Sequence, residues 1–170
     1  MAQRVKGTRR ITRLALLTAV ALTIFMAEAQ IPALTTVPGV KLGLANIVTV
    51  YTVFVMGMGD ALLVLSARVF LGAVFSGQMM TLLYSAAGGL LSWCVLCLLR
   101  KLLAREQIWL ASPIAAVFHN IGQLLAAAAV MRTWTVLAYL PYLIIAAVLA
   151  GLFTGVAAQT LIKQLKRIHR

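Results

Sequence analysis

Acidic side chains are nearly missing from this chain: Glu28, Asp60 and Glu106 are the only three in 170 residues. They are far apart in sequence, so no aspartate-rich site for magnesium and a diphosphate can be assembled, which excludes autonomous prenyl transfer by a metal-assisted route. No GxxxxGK[ST] loop is present, so ATP is not cradled in that way. Ser66, Ser76, Ser85, Ser92 and Ser112 lack a base and an orienting acid, because the two histidines are His119 and the tail residue His169. Cysteine is scarce too. Cys94 and Cys97 lie in an apolar run with no second ligand pair, and read as packed thiols. These absences point to a binder or carrier that is not an enzyme and holds no resident metal or cofactor.

What the chain has in abundance is apolar surface. It is 63% hydrophobic and 11% charged, with a mean hydropathy of +1.02, against roughly 25% charged residues in soluble domains. Apolar runs of about 20 residues recur, each enough to cross a bilayer. Breaking the sequence at charges, Gly and Pro predicts six spans, at about 11–29, 41–58, 60–76, 78–99, 108–131 and 135–162.

The basic residues set the expected topology. Arg4, Lys6, Arg9, Arg10 and Arg13 precede the first run, Arg100, Lys101 and Arg105 interrupt the middle, and Lys163, Lys166, Arg167 and Arg170 close the chain. Six spans place all of these on one side, with both termini cytoplasmic, and leave only Lys41 and Arg132 outside. The net charge of +12 is thereby explained as a topology signal, and a nucleic-acid partner is not expected. The first run leads into Glu28, Gln30 and Pro32 and is read as a retained helix rather than a cleaved signal peptide. The expected fold is one all-α membrane domain.

The first connection, 30–40, is a Pro- and Thr-containing outer segment that reads equally as a lid over a pocket or as an interfacial loop. No internal repeat marks a self-sufficient inverted-repeat transporter.

Polar residues inside the spans mark the candidate site. A charge at a helix centre costs about 2.5–3.5 kcal/mol on insertion scales, and Arg68 lies near the middle of the third span. A structural ion pair and an anion-binding role both fit it. Glu28 is its natural counter-charge, although it lies nearer the outer end, whereas Asp60 and Glu106 are expected to be solvated at cytoplasmic ends. His119 and Gln123 share a helix face, with Asn120 alongside. These three and Asn46 are read either as interhelical hydrogen-bonding groups or as the lining of a cavity with Arg68. Lys41 follows Pro38-Gly39 in what reads as the first turn of a helix, where the dipole disfavours a cation. An anion attracted to that helix start and to Lys41, or an interfacial anchor, would account for it. Ala15 and Ala19, one turn apart on the first span, permit close helix approach.

Four stretches carry a family resemblance: EAQIP at 28–32, VPGVKLGLANIVT at 37–49, LYSAAGGLLS at 83–92 and HNIGQL at 119–124, together with Arg68. The sequence resembles the bacterial membrane family labelled heptaprenyl diphosphate synthase component I, also called the Gx transporter family, which is similar to the substrate-binding S components of energy-coupling factor (ECF) transporters. The resemblance covers almost the whole chain. It implies a six-helix S-component-like bundle in the bacterial cell membrane that captures a small polar or anionic molecule. Its partners would be an ECF coupling transmembrane protein and ATPase subunits. By the same resemblance, Ala15 and Ala19 dock on the coupling protein and the 30–40 loop is the lid. Glu28, Lys41, Asn46, Arg68, His119, Asn120 and Gln123 are the expected substrate-binding residues. A non-catalytic subunit role in a heptaprenyl diphosphate synthase is the alternative.

Overall fold

The computed structural model describes residues 2–30, 41, 43–103 and 107–168, with side chains at 7–30, 41, 43–103 and 107–164. Six α-helices follow in order: α1 Ala2–Glu28, α2 Asn46–Val55, α3 Met58–Ser76, α4 Met79–Leu102, α5 Ile108–Met131 and α6 Leu140–Ile168, the last entered through a 3-10 segment Thr135–Tyr139. No strand occurs among the described residues. Residues 31–40, expected as the lid, lie outside the described residues, as does Glu106.

Among the described residues, five helical segments are long and apolar enough to cross a bilayer: Gly7–Glu28, Met58–Ser76, Met79–Leu102, Ile108–Met131 and Thr135–Gln164. Large apolar side chains such as Phe70, Leu98, Ile145 and Phe153 are exposed on their outer faces, as lipid rather than water requires. This is a multi-pass membrane protein.

The second expected span departs from its reading. In place of a helix over 41–58 there is a ten-residue helix, α2. Lys41 therefore precedes the helix and does not occupy its first turn. The physical reason is enclosure. α2 packs against all five other helices, and Asn46, Val48, Thr49, Val50, Thr52, Val53 and Phe54 are all buried. Surrounded by protein on most sides, its flanking main chain can leave the helix without exposing polar groups to lipid.

Around α2, α3 links α1 to α4, and α5 links α4 to α6. The α4–α5 and α5–α6 seams are the most extensive, and both depend on small residues. A Cβ at Gly88 would lie 2.6 Å from the His119 carbonyl oxygen, and one at Gly122 would lie 2.8 Å from that of Ala87. On the other side of α5, Gly151 and Gly155 of α6 abut Pro113 and Ser112, and the Ser112 and Thr154 hydroxyls are hydrogen-bonded at 2.9 Å.

At the end where α3 begins, Arg10 Nε and Nη2 both donate to Asp60 Oδ1, Nε at 2.9 Å. Asp60 is thus ion-paired to α1, a correction to its expected solvation. A carboxylate in the first turn of α3 also suits that helix's dipole. Trp93 Nε1 donates to the Met58 carbonyl at 3.0 Å. The two cysteines are free, with Cys94 exposed and Cys97 half-buried on α4, so Cys94 faces outward and is not a packed thiol.

The seam geometry gives a direct expectation. Gly122→Val should destabilise the protein by about 1–3 kcal/mol or more through overpacking. Gly59→Ala, where an added Cβ meets nothing within 4 Å, should be neutral or stabilising by up to about 1 kcal/mol. Thermal unfolding of the two variants in detergent measures the difference.

Candidate functional site

The polar centre of the bundle is organised by the chain entering α2. Gly43 adopts φ +81°, a left-handed conformation open to glycine, and turns residues 43–45 into α2. A Cβ there would also lie 2.8 Å from His119 Cδ2 and 3.1 Å from Asn46 Nδ2. Glycine is required twice over, for its backbone angle and for the space that His119 and Asn46 fill.

Glu28, at the end of α1, holds this segment. One carboxylate oxygen accepts the Gly43 N–H at 2.6 Å and the other accepts the Leu44 N–H at 3.0 Å. From α5, Gln123 Oε1 accepts the Lys41 N–H at 3.2 Å. Single 3-10-type turns then lead into the helix, with Asn46 N–H donating to Gly43 O at 2.9 Å and Ile47 N–H to Leu44 O at 3.1 Å. A buried carboxylate facing main-chain donors at a helix start is favourable both as a charge-assisted bond and against the dipole. Glu28 is 5% exposed, and its oxygens are committed to the main chain. It forms no ion pair with Arg68, although the two lie within Coulombic range.

The two cations share an aromatic ring instead. Lys41 Nζ sits 3.7 Å from the centroid of Phe25 and Arg68 Cζ 5.7 Å from it, contacts that gain strength away from water. Phe25 is seated in a slot that Gly72 leaves open on α3, where a Cβ would lie 2.8 Å from Phe25 Cε1. Sequence reasoning passed over Phe25 and Gly72. The available signal was spacing: Phe25 lies three residues before Glu28 and Gly72 four after Arg68, each on the same helix face.

Of the expected residues, Glu28, Lys41, Asn46, His119 and Gln123 converge around Lys41, Gly43 and Leu44, with Arg68 near the Phe25 ring. Asn120 points elsewhere, its Nδ2 donating to the Leu143 carbonyl of α6 at 3.1 Å. Among the described residues, several buried atoms of this region have no hydrogen-bond partner: both amide atoms of Asn46, Arg68 Nη2, His119 Nδ1 and Asn120 Oδ1. Each such group costs about 1–3 kcal/mol, and native proteins hold few of them. The arrangement of two cations with one carboxylate is net positive and leaves the Arg68 Nη2 and Asn46 Nδ2 donors unused. Chemically it can receive an anion. Ala15 and Ala19 lie apart from it, exposed on α1. The main-chain groups just after Pro38-Gly39, expected to help attract an anion, lie outside the described residues.

The family model for heptaprenyl diphosphate synthase component I matches residues 17–161. The chain belongs to that family. The match takes in Phe25, Glu28, Lys41, Gly43, Asn46, Arg68, His119, Asn120 and Gln123, the whole polar centre. No curated protein and no solved structure matches the chain.

The Glu28 clamp is testable. Glu28→Gln removes the charge and leaves one acceptor for two N–H groups, so hydrogen exchange at the Gly43 and Leu44 amides should rise by roughly tenfold or more, for a loss of about 1–3 kcal/mol. Unchanged protection would show that the carboxylate does not hold the segment.

Proposed function

We propose that this chain is the substrate-binding membrane component of an ECF-type ATP-driven uptake system for a small polar or anionic molecule. In this reading α2 is the sixth membrane segment, both termini are cytoplasmic, and the membrane is that of a bacterial cell. Arg68 carries the reading. It is 3% exposed with Nη2 unpartnered, in a centre where the Glu28 carboxylate is turned to main-chain donors. An arginine kept in that state within a bilayer has a role beyond structure. Lys41, half-buried over Phe25, stands at the mouth of the same centre. The exposed Ala15 and Ala19 offer α1 to the coupling protein.

The family's description supports a second reading, a non-catalytic membrane subunit of a heptaprenyl diphosphate synthase. The chain has too few carboxylates for the catalytic site, which a soluble partner would then supply. A diphosphate is itself an anion, and Arg68 suits it as well.

Arg68→Ala should abolish ligand retention by the purified protein while expression is preserved, and unchanged affinity would overturn the assignment. Lys41→Gln should weaken capture by roughly three- to tenfold, the value of one partly exposed charge contact of about 0.6–1.4 kcal/mol. Co-purification separates the two readings: a coupling protein with ATPases supports uptake, whereas a soluble prenyltransferase supports the synthase subunit.

A further inference from the structure

Asn46 has a different deficit from Arg68. It is 5% exposed, at the start of α2, and both its Nδ2 and its Oδ1 lack partners among the described residues. Its neighbours explain why no protein group serves it. Gly43 presents no side chain, and the His119 ring shares with Asn46 the space that a Cβ there would take. The Glu28 carboxylate faces the Gly43 and Leu44 N–H groups. Gln123 is turned to the Lys41 N–H. The carboxamide therefore offers a donor and an acceptor side by side.

An anion alone does not complement that pair. A carboxylate or phosphate oxygen accepts from Nδ2 and is repelled by Oδ1. A hydroxyl meets one of the two. The matching partner is an edge that carries a C=O beside an N–H, as a lactam, ureide or carboxamide does, since it satisfies both atoms in one plane.

We infer that the molecule bound beside Arg68 carries, in addition to its anionic group, such an amide-like edge, and that Asn46 is the residue that reads it. This rests on the anion site proposed above and adds the second half of the ligand. Arg68 and Lys41 receive the charge, and Asn46 discriminates among acids by their donor–acceptor edge. Loss of the edge leaves two buried atoms unpaired, which is the strongest basis a polar site has for rejecting an analogue.

Three probes divide the two halves: orotate has a carboxylate and a ureide edge, benzoate has the carboxylate alone, and uracil has the edge alone. Their affinities are measured by calorimetry for the full chain in lipid nanodiscs. The wild type should bind orotate about tenfold more tightly than benzoate, the equivalent of one well-made hydrogen-bonded pair. Asn46→Leu should bring orotate down to the benzoate level while benzoate stays within about twofold, so that benzoate binding also reports that the variant is folded. If Asn46→Leu does not fold, Asn46→Ala, which removes both amide atoms and adds neither charge nor bulk, should give the same loss of preference. Arg68→Gln should weaken both acids and leave uracil unchanged. Equal binding of orotate and benzoate by the wild type, or an equal loss of both in the Asn46 variant, overturns the inference. Arg68-dependent benzoate binding in that case leaves the anion site standing. Absence of Arg68-dependent binding of either acid overturns the anion site and the inference together.

Discussion

The structure depends on satisfying the main chain at both ends of a helix too short to span a membrane. α2 has ten residues, and in hydrocarbon every unsatisfied N–H or C=O costs several kcal/mol. At its start the donors of Gly43, Leu44 and Lys41 are met by Glu28 and Gln123. At its end the N–H groups of Met56 and Gly57 both turn to the Thr52 carbonyl at 2.9 Å, and Arg100 of α4 donates to the Val53 carbonyl. An anion thus faces the positive end of the helix and a cation the negative end, the arrangement its dipole favours. Three neighbouring helices supply those side chains, which fixes α2 at the centre of the bundle.

That solution determines the electrostatics of the polar centre. Glu28 is turned to the main chain and forms no salt bridge with Lys41 or Arg68. The two cations settle against the Phe25 ring, which stabilises a charge without removing its capacity to bind an anion. The same residues that close the fold therefore leave a net positive, donor-rich centre.

Close approach of the helices is the other requirement. Gly88 and Gly122 bring α4 and α5 together, Gly151 and Gly155 bring α6 onto α5, and Gly72 admits Phe25. Lipid provides no hydrophobic drive between helices, so contact area and interhelical hydrogen bonds such as Ser112 to Thr154 hold these seams. The seams in turn set the position of His119, whose carbonyl and ring both press on Gly88.

The membrane class, the five long helices and the candidate polar residues were legible from the sequence, because a 20-residue apolar run or an arginine in a span is a local property of the chain. The helix of the second span is shorter than its apolar run for a physical reason. Hydropathy records that 41–58 is apolar but not whether lipid or protein surrounds it, and only enclosure by five helices permits a short helix with a bent entry. For the same reason Glu28 was assigned to Arg68 or to a ligand, since its true partners, two N–H groups some fifteen residues away, are defined by the turn at Gly43. Asp60 was expected in water until the crossing of α1 and α3 brought Arg10 to it, and Asn120 left the His119 face for the Leu143 carbonyl. Sequence by itself determined which side chains are too polar for the bilayer interior. Tertiary structure decided which of them are consumed in holding the main chain and which remain free, because hydrogen-bond partners are assigned by packing geometry and not by residue type.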